Sequence, residues 1–173
     1  LISSTVLWAR LDNGFVWVVL FVTLGFGLIG FIDDFSKVSL KSHKGISGKL
    51  RLFFGVIISL IAAYCSTVLH PPLLTNQLAL PVLKDTLINL GPFFTLFGAF
   101  IIIGAANSVN LTDGLDGLAI MPVMIAGAAL GIISYAVGRV DFTEYLDVHY
   151  VSGTGELLVF SAGLIGGGLG FLW

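Results

Sequence analysis

Charged residues are scarce in this 173-residue chain: Asp, Glu, Lys and Arg make up only 10% of it, whereas 57% is hydrophobic and the mean hydropathy is +1.04. Soluble domains carry about 25% charged residues, so a water-facing shell around a soluble core is excluded. The net charge of −2 argues against a nucleic-acid partner. The single cysteine, Cys65, excludes a disulfide framework and a cysteine-rich metal site. A membrane protein with several spans is the class that remains.

Four uncharged apolar runs are each long enough for a membrane-spanning helix, which needs roughly 20 such residues. They cover residues 14–32, 52–69, 86–112 and 117–138. Residues 1–9 and 157–173 are shorter apolar runs at the two ends of the chain. We therefore expect an all-α polytopic membrane protein. Residues 1–173 form a single membrane domain, a transmembrane helix bundle with about four complete and two partial spans, and we expect the chain to be the middle of a longer protein.

Basic residues concentrate in one segment between two of these spans. Loops rich in Lys and Arg face the cytoplasm, so residues 33–51 form a predicted cytoplasmic loop. Counting spans places residues 107–116 in a second cytoplasmic loop and residues 10–13, 70–85 and 139–155 outside. Prolines in the middle outside segment favour a loop with a short hairpin. The basic residues of the first loop are Lys37, Lys41, Lys44, Lys49 and Arg51.

Two adjacent carboxylates, Asp33 and Asp34, follow the first apolar run. Carboxylates are disfavoured at the C-terminus of a helix, and the two repel each other. One interpretation is that they end the helix at the lipid headgroups, with Asp34 capping the next segment. The functional interpretation is a cation site, because paired carboxylates bind Mg²⁺ when substrate phosphates complete its coordination shell.

Polar side chains recur at every third position in the second cytoplasmic segment. Asn107, Asn110 and Asp113 share a broad helical face, and Asp116 follows between two glycines. A polar loop between spans is one reading of this pattern, but amides and carboxylates at membrane depth are costly and usually functional.

The basic residues of the first loop offer binding groups for phosphate. Lys37, Lys49 and Arg51 can lean over the site, whereas Lys41 and Lys44 can equally serve orientation alone. Carboxylates for Mg²⁺, cations for phosphate and amides for a polar ring thus share one membrane face. This combination predicts phosphoryl-group transfer between a soluble phosphate compound and a membrane lipid.

These motifs resemble one family in particular. They are the stretch from Gly30 to Asp34, then Lys37, then the segment from Gly45 to Lys49, and finally the long motif from Asn107 to Pro122. Taken together they resemble the phospho-N-acetylmuramoyl-pentapeptide transferases (the MraY family), within the superfamily of polyprenyl-phosphate sugar-1-phosphate transferases. The resemblance runs along essentially the whole chain.

The resemblance implies a ten-span helical enzyme of the bacterial inner membrane, multi-pass, with its active site facing the cytoplasm, and usually a homodimer. It implies Mg²⁺-dependent transfer of phospho-MurNAc-pentapeptide from UDP-MurNAc-pentapeptide to undecaprenyl phosphate, giving lipid I and UMP for peptidoglycan synthesis. It also implies that this chain, about half of the family's length, is inactive as an isolated fragment, because several of the family's motifs are not in it.

The resemblance also assigns roles to residues. Asp33 and Asp34 match the family's catalytic aspartates, and Asp34 and Asp113 are the expected Mg²⁺ ligands. The expected substrate-binding residues are Lys37, Lys49, Asn107, Asn110, Asp113 and Asp116.

Two alternatives remain open at this point. A sibling polyprenyl-phosphate GlcNAc-1-phosphate transferase would use almost the same local chemistry. A transporter or a non-catalytic membrane scaffold is a different class, but transporters place their polar groups near the midplane of the membrane, on broken helices. Here the polar groups cluster at one face instead.

Overall fold

The computed structural model describes residues 1–39, 45–80, 83–112 and 117–173. Within these ranges the chain forms seven α-helices and one β-hairpin. The helices are α1 (Ile2–Trp8), α2 (Gly14–Ser39), α3 (Gly48–Leu69), α4 (Phe93–Thr112), α5 (Ile120–Val137), α6 (Val140–Leu146) and α7 (Leu157–Leu172), and the strands are β1 (Gln77–Leu80) and β2 (Leu83–Asn89).

Five helices in the described part of the chain are long and apolar enough to cross a membrane. They are α2, α3, α4, α5 and α7, the last counted with the short 3₁₀ turn (Thr154–Glu156) that leads into it. The expected polytopic helical membrane fold is therefore confirmed. The run predicted as a partial span from residue 157 is long enough, with that turn, to count as a fifth span, whereas α1 has only seven residues.

Helix α3 packs between α2 and α4, and α7 packs against α5, α1 and part of α2. Close packing depends on small residues, as is typical of helices in a membrane. A Cβ added at Gly98 of α4 would lie 3.2 Å from Cβ of Ala63, and one at Gly131 of α5 would lie 2.7 Å from Cβ of Ser161. The buried residues of α3 are likewise small: Gly55, Ser59, Ala62, Ala63 and Thr67.

Helix α2 extends further than its uncharged run. It continues through Asp33 and Asp34 to Ser39, because no proline or glycine interrupts residues 31–39. A helix of 26 residues is about 39 Å long, against a hydrocarbon core of roughly 30 Å, so its last turns reach the headgroup region. The two aspartates therefore project from a helix and do not end it.

Other boundaries differ from the sequence prediction in the same way. The predicted loop 33–51 is helical at 33–39 and 48–51, and the predicted loop 107–116 is helical as far as Thr112. Helix α4 begins at Phe93, not near residue 86, because residues 86–89 belong to strand β2. Gly91 follows with φ +51°, and Pro92 lacks the backbone N–H that a strand or helix interior needs.

The segments predicted on the outside meet at one end of the bundle. Strands β1 and β2 form an antiparallel hairpin, with Gln77 opposite Asn89. This hairpin, His70, residues 147–149 and Val151 line a cavity of about 290 Å³. At the same end, the side-chain amide of Asn13 donates to the carbonyl of Gly153 at 2.6 Å. Asp33 and Lys37 of α2, Arg51 of α3 and Asn110 of α4 lie toward the other end.

Candidate active site

The end of α2 carries a three-residue charge cluster. Nζ of Lys37 lies 2.6 Å from Oδ2 of Asp33 and 3.1 Å from Oδ1 of Asp34. Helical spacing explains the cluster, because residues three and four positions apart share a face. Lys37 stands in the last turn, where a cation also interacts favourably with the helix dipole. One lysine thus reduces the repulsion between two carboxylates.

The two aspartates have different surroundings. The Asp33 side chain is 12% exposed, whereas that of Asp34 is 78% exposed. Oδ1 of Asp33 accepts a hydrogen bond of 2.8 Å from the backbone N–H of Ile46. Asp33 therefore has both of its oxygens engaged, one with Lys37 and one with Ile46. Asp34 keeps one oxygen that contacts no other described residue and is open to solvent.

Gly45 is closely packed against this cluster. A Cβ at that position would overlap Oδ1 of Asp33 and lie 2.8 Å from Cε of Lys37. A glycine here lets the segment before α3 approach the aspartate closely enough for the Ile46 hydrogen bond. The close approach to Asp33 and Lys37 therefore requires a residue without a side chain at position 45.

The start of α3 is fixed by a side-chain cap. Oγ of Ser47 accepts from the backbone N–H of Leu50, and the Ser47 carbonyl accepts from the N–H of Arg51 at 3.1 Å. Serine is among the preferred N-cap residues because its oxygen satisfies an N–H that has no partner inside the helix. Arg51 therefore lies in the first turn of α3, directly after the segment that Asp33 holds.

Arg51 joins the two polar segments of the sequence. With the Asn110 amide oriented so that both partners are satisfied, its Oδ1 accepts from Nη1 of Arg51 at 3.1 Å and from Nη2 at 3.2 Å. The guanidinium thus links the first turn of α3 to the polar end of α4.

The remaining predicted site residues divide into two groups. Asn107 is half-buried and donates to the carbonyl of Ile103 in its own helix at 2.8 Å, while Lys49 is exposed and forms no ion pair with the described part of the chain. Asp113 and Asp116 lie outside the described residues, as do Lys41 and Lys44, so their assignments stay predictions.

The carboxylates can be compared with what Mg²⁺ requires. Magnesium sites often use only one or two protein carboxylates and take their other ligands from water and substrate phosphates. The exposed Asp34 carboxylate fits that role, whereas Asp33 is already engaged on both oxygens. Among the described residues, no three acidic, His or Cys side chains come close enough to form a metal site alone. Asp113 as a second ligand remains a prediction.

One interaction of the site could not be found from the sequence. The sequence alone predicts only that Arg51 leans toward phosphate, whereas the structure places it against Asn110 of the neighbouring helix α4. The sequence shows only that both residues lie at the ends of apolar runs, in segments predicted to share the cytoplasmic face. Which side chains meet there depends on how α3 and α4 pack.

At the opposite end of the bundle, two arginines each form an ion pair with a nearby aspartate. Arg10 pairs with Asp12 at 2.8 Å, and Arg139 pairs with Asp141 at 2.9 Å, all of them well exposed. Hydrogen bonding to Arg139 holds the pKa of the Asp141 carboxyl below its ordinary value, and Arg10 does the same to the pKa of Asp12. Asp12 and Asp141 are thus each paired with a separate arginine, unlike the two adjacent carboxylates of α2, which share Lys37.

The chain is similar to proteins of one family. The family model described as glycosyl transferase family 4 matches residues 16–173. A phospho-N-acetylmuramoyl-pentapeptide-transferase of Ruegeria pomeroyi is 67% identical over 173 residues, which is 100% of this chain and 48% of that protein. A relative of the same name in Dinoroseobacter shibae is 66% identical over 98% of this chain, which is 47% of that protein. Another in Rhodopseudomonas palustris is 56% identical over the whole of this chain, which is 48% of that protein. The chain thus spans about half the length of these curated relatives.

Proposed function

The chain belongs to glycosyl transferase family 4, and on that basis we propose that it is part of an enzyme that transfers phospho-MurNAc-pentapeptide from UDP-MurNAc-pentapeptide to undecaprenyl phosphate. The products are lipid I and UMP, and the reaction is the first membrane step of peptidoglycan synthesis. The observation that carries the proposal is the identity of up to 67%, over the whole chain, to proteins named for this transfer. The site geometry supports it independently.

That support comes from groups that suit two anionic substrates. The exposed carboxylate of Asp34 can hold a cation next to phosphate, while Lys37, Lys49 and Arg51 supply positive charge at the same end of the bundle. The lipid substrate enters from the membrane and the nucleotide sugar from water, so a site at the end of spanning helices can reach both. Positioning and charge neutralisation are the main catalytic tasks in phosphoryl transfer.

We infer direct attack of the lipid phosphate on the phosphate attached to the sugar. The second pKa of a phosphate monoester is about 6, so this nucleophile is mostly dianionic at neutral pH and gains little from a strong base. In this step a P–O bond forms to the lipid phosphate, and the bond to the departing UMP breaks with its electron pair. UMP leaves as a phosphate and needs no strong acid. The remaining obstacle is repulsion between anions, which the cationic side chains reduce.

The two aspartates then have separate tasks. Asp33 holds Lys37 and the Ile46 amide, which keeps the segment before α3 against α2. Asp34 is exposed, so its carboxylate would hold the cation and, through it, orient the substrate phosphates. When Mg²⁺ is bound there, it supplies charge neutralisation to the pyrophosphate. A trapped phospho-aspartyl or sugar-phospho-aspartyl adduct that turns over competently would replace direct attack with a covalent mechanism.

We place the site at the cytoplasmic face of the bacterial inner membrane, because the basic residues concentrate at that end. The complete enzyme is proposed to act as a homodimer and to depend on Mg²⁺. The chain alone is proposed to be inactive.

The test uses the full-length gene product in detergent or nanodiscs with undecaprenyl phosphate and Mg²⁺. UMP release is measured from UDP-MurNAc-pentapeptide and, in parallel, from UDP-GlcNAc, with Asp34→Asn as the control variant. We expect release from the muramyl substrate alone, abolished in the variant. Release from UDP-GlcNAc would assign the protein to the sibling transferases. Release from neither by folded protein would overturn the enzymatic proposal.

A further inference from the structure

The contact between Arg51 and Asn110 determines what Asn110 can offer a substrate. A side-chain amide has one acceptor oxygen and one nitrogen with two N–H donors. Because a guanidinium has only N–H donors, the amide atom that lies 3.1 and 3.2 Å from its two terminal nitrogens is assigned as the oxygen. This orientation commits the acceptor to Arg51. The amide nitrogen supplies the remaining donors.

The backbone around Arg51 is held in place, which fixes where the guanidinium can lie. Ser47 caps α3, and Asp33 holds the N–H of Ile46 one residue earlier. Between α3 and α4, Gly55 approaches Ile103 and Gly98 approaches Ala63, so the two helices are closely packed. The guanidinium is planar and presents its N–H groups in a rigid fork, which a lysine ammonium cannot imitate.

We propose that Arg51 is a positioning residue that sets the amide orientation of Asn110, so that Asn110 presents N–H donors, and not an acceptor, to the substrate. This inference rests on the proposed function. The substrate group that it selects is an acceptor oxygen, such as a phosphate or carbonyl oxygen, on the nucleotide sugar or on the lipid phosphate. Without Arg51 the amide can turn so that its own oxygen, which cannot donate a hydrogen bond, faces the acceptor oxygen of the substrate.

Substitutions at the two positions separate this role from direct contact of Arg51 with substrate. Arg51→Lys, Asn110→Ala and the double variant are made in the full-length protein, and KM is measured separately for the nucleotide sugar and for undecaprenyl phosphate. We expect Arg51→Lys to raise one KM about 10-fold with kcat changed less than about 3-fold, as for a lost binding interaction. The substrate whose KM rises carries the acceptor oxygen.

The double variant is the decisive measurement. If Arg51 acts through Asn110, the double variant has a KM no higher than that of Asn110→Ala alone. If the two effects multiply, Arg51 acts independently of Asn110 and the inference is overturned. An unchanged KM in Arg51→Lys overturns it as well.

Two further variants control for folding and charge. Asn110→Asp keeps an acceptor for Arg51 but has no N–H donor, so we expect a KM as high as that of Asn110→Ala at an unchanged unfolding temperature. A wild-type KM in Asn110→Asp would overturn the inference. Arg139→Lys alters an arginine at the opposite end and should leave both KM values unchanged. The proposed function is tested by a different outcome: it is overturned if the wild-type protein releases no UMP.

Discussion

Asp33 accepts a hydrogen bond of 2.8 Å from the backbone N–H of Ile46, so a side chain near the end of α2 holds the segment that leads into α3. The same carboxylate pairs with Lys37 at 2.6 Å. Among the described residues, the neighbouring Asp34 carboxylate has an ion pair with Lys37 alone, and it is largely exposed. Adjacent residues of one type thus have different physical environments, and their substitutions should have different effects.

Asp33→Ala should lower both activity and stability. It leaves the half-buried Ile46 N–H without its acceptor, a loss of about 1–3 kcal/mol in the free energy of unfolding. Asp34→Ala should lower UMP release at least about 100-fold, as loss of a transition-state contact does, while the unfolding temperature stays at the wild-type value. Thermal unfolding in detergent and the UMP assay, run on the same preparations, make the comparison. Equal unfolding temperatures for the two variants would contradict the assignment of Asp33 to structure.

Gly45→Ala should impair the site without disturbing the bundle. Its Cβ would overlap Oδ1 of Asp33 and crowd Lys37, which forces the segment before α3 away from α2. We expect UMP release to fall about 10-fold or more, because small displacements of catalytic groups are costly. The matched control is Gly48→Ala, three residues later, where an added Cβ meets nothing within 4 Å. If both variants keep wild-type activity, the close packing at Gly45 has no functional role.

Gly131→Ala should destabilise the contact between α5 and α7. The added Cβ would lie 2.7 Å from Cβ of Ser161, an atom attached to the backbone that cannot move aside. Overpacking of this kind costs about 1–3 kcal/mol. Gly104→Ala in α4 is the control, since its Cβ meets open space and alanine favours the helix more than glycine does. Unfolding temperatures in detergent distinguish them, and a Gly131→Ala protein as stable as Gly104→Ala would refute the packing argument.

The proposed orientation can be tested by cysteine labelling. In a Cys65→Ala background, Ser39→Cys marks the end of α2, and Ser152→Cys marks the opposite end of the bundle; both positions are exposed. A membrane-impermeant maleimide should label Ser152→Cys in intact spheroplasts and Ser39→Cys only after lysis. The reverse pattern would place the site outside and would argue against a cytoplasmic nucleotide sugar as substrate.

Much of the fold could be predicted because the hydrophobic pattern is strong. Long uncharged runs specify spanning helices, and lysine placement predicts which segments share a face. Helix ends were harder to locate. Charged residues such as Asp33 and Lys37 continue α2 because each is acceptable in a helix that has left the hydrocarbon. Residues 87–89, by contrast, pair with strand β1 although they are uncharged.

Within the site, the sequence predicted residue types better than their partners. Asp33 and Asp34 look alike in the sequence. Asp33 is buried where the segment at Gly45 and Ile46 packs against it, whereas Asp34 stays exposed. The pairing of Arg51 with Asn110 depends on the rotation of α3 relative to α4, and hydrophobic periodicity does not give that angle. Predicted roles for Asp113 and Asp116 remain open to experiment.

The buried face of α3, which consists of small residues, also restricts where residues can be inserted into or deleted from this protein. Each residue inserted between Arg51 and Gly55 would turn the start of the helix by about 100° relative to its packed part and carry the guanidinium away from Asn110. We expect substitutions along the exposed side of α3 to be tolerated, and a single insertion or deletion there to be disruptive. Deletion scanning along α3 should therefore lose activity at every position between Arg51 and Ala63, including positions where any apolar residue is accepted.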